Sequence, residues 1–353
     1  MIVLFRPAPP FVEFCKVENG KFSVEKVKFM PDEINEIIQD PSKVEGIGYL
    51  LHHGGEICTE TESIINREVL DKLGQCIGFS PECNDLTLKM ARIFFKKFPH
   101  IPQILFCDTA YFNDLPPEAS NYAVPSVLRK QGIKRYGGNG LLHSWVSQKM
   151  QQVENKSFAK LISVHLGDNS NIAAIKDGRP VDTTIGFTSC EGLPSSRGCG
   201  DVDPTVVFQL HSKGVSFEGI YDLLSNESGF TGLAGCECHY LDIIKENKIP
   251  NISKVKQVLL YDIIKYIGAF VSLMNGVDAV VFNTRYPDES EAFISEICEK
   301  LNFLGLKQGK IIRLKDSFQG VTETGAKVAV LCVKKDQWNI MFNGVEKIVK
   351  KEM

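Results

Sequence analysis

The stretch FVEFCKVENGKFSVEKV, residues 11–27, decides the fold class at the start of the chain. Apolar and polar side chains alternate on both sides of Asn19-Gly20, which predicts two antiparallel strands, Phe11–Val17 and Lys21–Val27, joined by a tight hairpin turn. Ahead of them, Ile2–Phe5 is predicted to be a buried strand that Pro7 ends. The chain therefore opens with antiparallel hairpins.

The rest of the first region alternates helices and strands. The pattern predicts helices over Glu60–Leu73 and Thr87–Phe98, followed by an apolar strand over Gln103–Cys107. That strand places Asp108 at its carboxyl end, which is where α/β sheets meet their ligands.

A second region begins near residue 112 and repeats this organisation. Strands are predicted over Leu161–Leu166, Ile172–Lys176 and Arg179–Thr184, again as hairpins, and a helix over Gln337–Glu352 closes the chain. Hairpins followed by alternating strands and helices in both halves predict two α/β domains with mixed sheets. A cleft between two such domains is the default place for a ligand.

Composition narrows the class of protein. The 353 residues are 43% hydrophobic and 24% charged, with a formal net charge of −3, as expected for a soluble protein of two domains. The chain lacks both the basic excess of a nucleic-acid binder and an apolar run long enough to cross a membrane, so neither partner is expected. The pairs Lys96-Lys97 and Lys334-Lys335 are interpreted as solvated faces or helix ends.

The cysteines and the first residues bear on the compartment. The chain has 11 cysteines, an odd number without framework spacing, which favours reduced thiols. The apolar stretch at Met1–Phe5 has no basic segment before it and no small-residue cleavage site after it, unlike a signal peptide. We therefore expect a cytoplasmic protein.

Several segments, taken in order, resemble the acetate kinase family. The matching segments are His53-Gly-Gly-Glu56, Phe106-Cys-Asp-Thr-Ala-Tyr-Phe112 with Leu115-Pro-Pro-Glu118, Gly132-Ile-Lys-Arg-Tyr-Gly137, His165-Leu-Gly167, Val181-Asp-Thr-Thr-Ile-Gly-Phe-Thr188 with Glu191-Gly-Leu193, Arg197-Gly-Cys-Gly-Asp-Val-Asp-Pro204 and Ser228-Gly229 with Gly232-Leu-Ala-Gly235. Long motifs in the right order are more specific than any one short pattern. The resemblance spans about residues 45 to 345.

The resemblance implies a fold and a reaction. The fold is two ribonuclease-H-like (actin-like ATPase) domains with an interdomain cleft, placed here at residues 1–112 plus 335–353 and at residues 113–334. The reaction is reversible phosphoryl transfer from ATP, with Mg²⁺, to acetate or a short-chain carboxylate, giving an acyl phosphate. The family works as a homodimer, built through the C-terminal domain.

The resemblance also implies site residues. Asp108 and Arg197 match catalytic positions, and the substrate or phosphate positions match His165, Gly167, His53 and Phe187. Phosphoryl transfer needs alignment and positive charge, and an arginine can grip phosphoryl oxygens with two parallel donors. The ordinary alternatives are a helix cap or loop residue for Asp108, and an ion pair for Arg197.

Other positions depart from the family. Arg6-Pro-Ala-Pro-Pro10 replaces a small-residue loop near metal and phosphate, Leu50 replaces an arginine, and Cys83 and Asn139 replace histidines. Cys83 is open to two interpretations, a reactive thiol or a small buried hydrophobe.

The nucleotide and metal segments differ as well. Arg285 and Pro287 replace glycines of the adenosine loop, and Asp168 adds a carboxylate to the phosphate turn, where it would repel a polyphosphate. Asp336 aligns with an acidic metal ligand. Three hypotheses stay open: an active acyl kinase, a catalytically weak or inactive homologue that acts as a binding or regulatory partner of another protein, and an acyl kinase with another phosphoryl donor.

Overall fold

The computed structural model describes residues 1–30, 37–152, 158–313, 318–322 and 326–352. The chain divides into two compact units. Unit 1 comprises residues 1–113, 138–145 and 336–353, and unit 2 comprises residues 114–137 and 146–335.

Strands and helices are numbered in chain order. The strands are β1 Ile2–Ala8, β2 Phe11–Glu18, β3 Lys21–Lys28, β4 Gly46–Leu51, β5 Glu62–Ile64, β6 Gln103–Cys107, β7 Lys160–Leu166, β8 Asn171–Lys176, β9 Arg179–Thr183, β10 Ala279–Thr284, β11 Gln308–Arg313, β12 Phe318–Thr322 and β13 Ala329–Lys334. The helices are α1 Arg67–Leu73, α2 Pro81–Lys97, α3 Pro117–Ser120, α4 Ser126–Arg129, α5 Gly140–Gln151, α6 Thr205–Ser212, α7 Phe217–Asn226, α8 Gly229–Ala234, α9 Tyr240–Lys245, α10 Ile252–Leu273, α11 Glu291–Lys300 and α12 Gln337–Glu352.

Each unit is built on one mixed sheet. The order in unit 1 is β3-β2-β1-β4-β6-β5, and in unit 2 it is β11-β12-β13-β10-β7-β8-β9. Each sheet begins with an antiparallel three-stranded meander, β1–β3 in unit 1 and β7–β9 in unit 2. The next strands of the chain then pair in parallel on the free side of the first strand of the meander, as β4 does with β1 and β10 does with β7. The shared order β3-β2-β1-β4-β6 and β9-β8-β7-β10-β13 confirms the predicted α/β class and its repeated organisation.

The centre of the sheet of unit 1 is buried on both faces, whereas β3 at its edge is exposed. Along β1, Val3 and Phe5 pack into one hydrophobic cluster with α2, while Ile2 and Leu4 pack into another with α12. Successive side chains of a strand point to opposite faces, so an uninterrupted apolar run requires cover on both sides. This accounts for the short run Ile2–Phe5 at the start of the chain.

Unit 2 has one large core beside its sheet. The long helix α10 contributes Leu259, Ile263 and Ile267, which pack with Val280 and Phe282 of β10. These α10 positions recur every four residues, so they line one stripe of the helix.

Two predicted boundaries are wrong for physical reasons. Strand β1 continues through Pro7 to Ala8, because β2 pairs with it as far as Ala8 while β4 pairs with it only as far as Phe5. Proline lacks an N–H donor, and it is tolerated here because only one neighbouring strand still pairs with β1 at Pro7.

The predicted helix over Glu60–Leu73 is also wrong in its first half. Glu62–Ile64 forms β5 and pairs antiparallel with β6, and α1 begins only after Asn66, whose side chain accepts from the Val69 N–H at 2.8 Å. The cap moves the start of the helix past the strand. No helix within the described ranges is long and apolar enough to span a membrane.

We expect Gly48→Ala to destabilise unit 1. A Cβ at Gly48 would lie 2.8 Å from Leu4 Cδ2 and 3.1 Å from both Phe106 Cε2 and Val345 Cγ2, in a packed core. Overpacking of this kind costs about 1–3 kcal/mol. Urea unfolding would measure the change in the free energy of unfolding.

The matched control is Gly74→Ala, where nothing lies within 4 Å and the backbone has φ −55°. That variant should unfold at the same urea concentration as the wild type or at a slightly higher one. Equal stability of the two variants would contradict the close packing at Gly48.

Candidate functional site

The site residues of unit 1 meet at the carboxyl ends of β4 and β6. Leu51 of β4 pairs with Cys107 of β6 in parallel, and the Asp108 N–H donates to the Leu51 carbonyl at 2.9 Å. The Asp108 carbonyl accepts from the Gly140 N–H at 2.8 Å, and its carboxylate oxygen lies 3.4 Å from the Leu141 N–H. Asp108 is buried and lies at the start of α5.

His53 belongs to the same edge and is held rigidly. Its Nδ1 accepts from the Gly55 N–H at 3.1 Å, and its ring stacks on Phe79 with centroids 4.5 Å apart. Asn84 donates to the His53 carbonyl at 2.8 Å, and the Gly54 N–H donates to Thr109 Oγ1 at 3.0 Å. The predicted residues His53 and Asp108 are thus tied to one framework within unit 1.

Three positions predicted from the sequence to depart from the family contribute to the framework of unit 1. Leu50 is buried in the core on the α12 side of the sheet. Asn139 has φ +53°, and its carbonyl accepts from the Leu142 and His143 N–H groups at 3.0 and 3.1 Å, which starts α5. Burial raises the pKa of the Cys83 thiol to about 11, so it is protonated at neutral pH and behaves as a small hydrophobe rather than a reactive thiol.

Arg6 is fully engaged inside unit 1. Its guanidinium donates to the Glu13 carboxylate through two nitrogens and to Gln337 Oε1 at 3.1 Å, and it lies 5.1 Å from the ring centre of Trp338. The ion pair and the cation–π contact tie β1 and β2 to the start of α12.

In unit 2 the central group is His165, near the end of β7. Its Nδ1 lies 2.9 Å from Asn283 Oδ1 and 3.2 Å from the Asn283 carbonyl, and Asn283 Nδ2 donates to Ser163 Oγ at 3.2 Å, which fixes the amide orientation. Two acceptors at Nδ1 require a proton there, so in the neutral ring Nε2 carries the lone pair. His165 and Asn283 are both buried and pair across the parallel strands β7 and β10.

Lys335 brings a positive charge to this ring. Its Nζ lies 3.3 Å from His165 Nε2, and its backbone N–H donates to the Thr284 carbonyl at 2.7 Å. An ammonium has three donors and can reach more than one acceptor. Nε2 of His165 accepts from this ammonium, and Lys335 therefore provides a cationic donor suited to an oxyanion at the carboxyl ends of β7, β10 and β13.

The turn after β7 lies against the same ring. A Cβ at Gly167 would be 3.4 Å from His165 Cε1 and Nε2, so the predicted Gly167 does lie beside His165. Asp168 accepts from the Tyr240 N–H at 2.8 Å and from His239 Nδ1 at 3.2 Å. Its carboxylate thus has partners at the start of α9, which offset its negative charge within unit 2.

Arg197 and Arg285 lie on the surface of unit 2. The Arg197 side chain is 58% exposed and pairs with Glu237 at 3.5 Å. Arg285 follows β10 and is exposed as well. At Arg197 the described geometry is that of a surface ion pair.

Phe187 is positioned by a polar network in unit 2. Its N–H donates to Tyr122 Oη at 2.7 Å, and Tyr122 donates to the Glu191 carboxylate, which also pairs with Arg135 at 2.8 Å. Arg135 also donates to the Thr183 carbonyl at 3.1 Å. Burial, followed by the hydrogen bond to Glu191, raises the pKa of Tyr122 well above its usual value, which keeps the phenol protonated as a donor.

The described residues contain no preformed Mg²⁺ site. Asp336 is an exposed residue whose carboxylate accepts from the Asn339 N–H at 3.0 Å, so it caps α12. Arg6 is a cation and cannot ligate a metal. Within the described ranges, no group of three or more His, Cys, Asp or Glu residues is placed to hold a metal ion.

Sequence reasoning missed Lys335 and Asn283. Lys334-Lys335 was interpreted as a solvated or helix-end pair, yet Lys335 is half-buried against His165. The available signal was topological, because each of these residues lies at or just beyond the carboxyl end of a parallel strand.

Comparisons with known proteins agree with the fold. The model of the Acetokinase family matches residues 15–341. The acetate kinase of Carboxydothermus hydrogenoformans is 33% identical over 307 residues, covering 84% of this chain and 76% of that protein. The acetate kinase of Thermotoga petrophila is 32% identical over 332 residues, covering 91% and 82%.

Solved structures show the same architecture. The acetate kinase of Porphyromonas gingivalis superposes with a TM-score of 0.83 at 24% identity, covering 99% of each chain. The acetate kinase of Entamoeba histolytica gives a TM-score of 0.85 at 22% identity, covering 97% of each chain. At these identities the likeness concerns the fold alone.

We expect Asp336→Ala and Asp336→Asn to separate a cap from a metal ligand. Asparagine caps a helix as well as aspartate does, whereas alanine loses about 1 kcal/mol of stability. Urea unfolding of the two variants should therefore show a loss for alanine and little change for asparagine. A wild type stabilised by millimolar Mg²⁺, with that gain lost in Asp336→Asn, would contradict the cap and support a metal ligand.

Proposed function

The chain belongs to the acetokinase family, and from that premise we propose that it binds a small carboxylate or its acyl phosphate in unit 2 and transfers a phosphoryl group from Mg·ATP slowly or not at all. Relatives named acetate kinase support the carboxylate as ligand. The structure is consistent with a retained oxyanion site and an altered nucleotide site.

One observation carries the oxyanion site. Lys335 Nζ lies 3.3 Å from His165 Nε2, in a ring whose orientation Asn283 fixes. A half-buried ammonium beside an oriented imidazole offers charge-assisted hydrogen bonds, which are about twice as strong as neutral ones. Gly167 adds no side chain beside this ring, because a Cβ there would lie 3.4 Å from His165 Cε1 and Nε2.

The residues that align with the family's nucleotide and metal segments support slow or absent phosphoryl transfer from ATP. Two positions predicted to depart from the family are occupied by groups committed elsewhere, Arg6 to Glu13 and Leu50 to the core. Asp336, which aligns with an acidic metal ligand, is committed to the α12 cap. Removal of one preorganised donor typically costs a factor of about 100 to 1,000 in rate. Several such losses leave little phosphotransfer.

A chain that holds an acyl phosphate without consuming it is suited to a binding or regulatory role beside another protein.

All 11 cysteines are unbridged, and this supports the expectation of a reducing compartment such as the cytoplasm. An active acyl kinase, or one with pyrophosphate as donor, is an alternative outcome of the test below.

We expect Lys335→Gln to weaken acetyl phosphate binding by at least about tenfold, because a charged hydrogen-bond donor is lost. Isothermal titration calorimetry of the full chain would measure it. The matched control is Lys334→Gln, which removes an exposed lysine one residue earlier and should change the affinity less than about twofold.

Mg·ATP should give no saturable heat at micromolar concentration in the same experiment. Micromolar Mg·ATP binding with acetate-dependent ADP formation would overturn the proposal in favour of an active kinase. Acyl phosphate formation with pyrophosphate but not ATP would favour the other donor. Equal acetyl phosphate affinity in wild type and Lys335→Gln would remove the assigned oxyanion site.

We further propose that a second copy of this chain covers an apolar surface on α6 and α7. Phe208 is 68% exposed on α6, and Phe217 and Tyr221 are 59% and 51% exposed on α7. The His211 ring stacks on Phe217 with centroids 4.3 Å apart, so the two helices present one continuous patch, and α6 buries none of its side chains. Contiguous exposed apolar surface marks an interface, and the family resemblance implies a homodimer.

We expect wild-type protein to be dimeric at micromolar concentration and Phe208→Glu to be monomeric, because burying a carboxylate in an apolar interface is costly. Analytical ultracentrifugation would report the masses. The control is Phe303→Glu, which changes a phenylalanine that is 75% exposed, outside α6 and α7, and should stay dimeric. A monomeric wild type would refute the interface.

A further inference from the structure

A separate pocket lies on unit 1, between α1 and α2. Its volume is about 420 Å³. It is lined by Arg67, Leu70, Asp71, Arg92, Phe95, Lys96 and Pro99. None of these residues belongs to the site described above.

The two helices bring three cations to this pocket. Arg92, Phe95 and Lys96 lie at i, i+3 and i+4 on α2, so they share one face of the helix. Arg67 is the first residue of α1, directly after the Asn66 cap. The spacing on α2 and the start of α1 therefore place positive charge on both sides of one cavity.

These cations have no protein partner within the described part of the chain. No side-chain hydrogen bond or ion pair is formed there by Arg67, Arg92 or Lys96. On the same two helices, Lys72 pairs with Glu68 at 2.6 Å and Lys89 pairs with Asp85 at 2.5 Å. The pocket contains one acidic residue, Asp71, and it forms no ion pair with the three cations either.

The electrostatic consequence favours an anion. Like charges that share a cavity repel one another, and a bound anion relieves that repulsion. Two of the three cations are arginines, whose planar guanidinium matches the oxygens of a phosphate. Three donors around one volume suit a group with two negative charges better than a single carboxylate.

The floor of the pocket is apolar. Leu70 is buried, Phe95 is half-buried and packs against the core of unit 1, and Pro99 lies at the rim. Inorganic phosphate would leave this surface in contact with water, whereas a ligand with an apolar or aromatic body would cover it.

We propose that this pocket binds a small organic phosphate, with the phosphate held by Arg67, Arg92 and Lys96 and an apolar body packed on Leu70 and Phe95. The site does not depend on the proposed function, because it uses no residue of the oxyanion site in unit 2. It assigns a binding role to Lys96, which as part of a short basic run was interpreted as a solvated helix end.

Phenyl phosphate is the probe, titrated into the full-length chain by calorimetry. We expect the double variant Arg92→Gln/Lys96→Gln to bind at least about tenfold more weakly than wild type. The single variant Arg67→Gln, on the other helix, should also weaken binding. The controls Lys72→Gln and Lys89→Gln change lysines of the same helices that are already paired, and they should bind like wild type.

Two further measurements test the two parts of the ligand. Raising the salt from about 50 to about 300 mM should weaken binding, because the contacts are exposed charges. Inorganic phosphate should bind more weakly than phenyl phosphate. All the altered residues are exposed, and Leu70 and Phe95 stay unchanged. Thermal unfolding would verify that each variant is folded.

Several results would overturn the assignment. A wild type that shows no heat with millimolar phenyl phosphate would do so, as would a folded double variant with wild-type affinity. Loss of phenyl phosphate binding in Lys335→Gln, with the double variant unaffected, would place the ligand in unit 2 instead. Equal affinities for inorganic and phenyl phosphate would overturn the role of the apolar floor.

Discussion

The parallel pairing of β7, β10 and β13 is the constraint on which the candidate site of unit 2 depends. Its register sets His165 beside Asn283, and Asn283 beside Val333, two residues before Lys335. A shift of one residue would turn each side chain to the opposite face of the sheet. The same backbone hydrogen bonds that hold the sheet therefore bring Lys335 and His165 together, and the Asn283 side chain orients the His165 ring.

Arg6 is part of the polar framework of unit 1. Arg6 alone would be a half-buried charge on β1, and such a charge is costly without partners. Glu13 on the neighbouring strand, Gln337 and the Trp338 ring supply those partners. Because all three groups contact Arg6, its removal would leave the half-buried Glu13 carboxylate without this ion pair.

The sequence predicted features that rest on local periodicity or on several matched motifs. The hairpin at Asn19-Gly20, with φ +49° and +74°, and the closing helix Gln337–Glu352 are confirmed. The first half of the predicted helix Glu60–Leu73 failed, because β5 exists only through its pairing with β6. Lys335 was missed for the same reason: its environment is set by residues more than a hundred positions away, and a basic pair carries no local sign of that.

The two cationic features of the chain differ in physical character, and the difference bears on what each can recognise. Lys335 is half-buried and lies against a buried imidazole, where the low dielectric strengthens each hydrogen bond and favours a small anion of fixed shape. Arg67, Arg92 and Lys96 are exposed, so solvent and salt screen them and geometry restricts them less. Selectivity at the exposed pocket must then come from the apolar floor at Leu70 and Phe95, because charge alone would admit any anion. Selectivity at Lys335 can come from direction, since Asn283 fixes the ring against which the Lys335 ammonium lies.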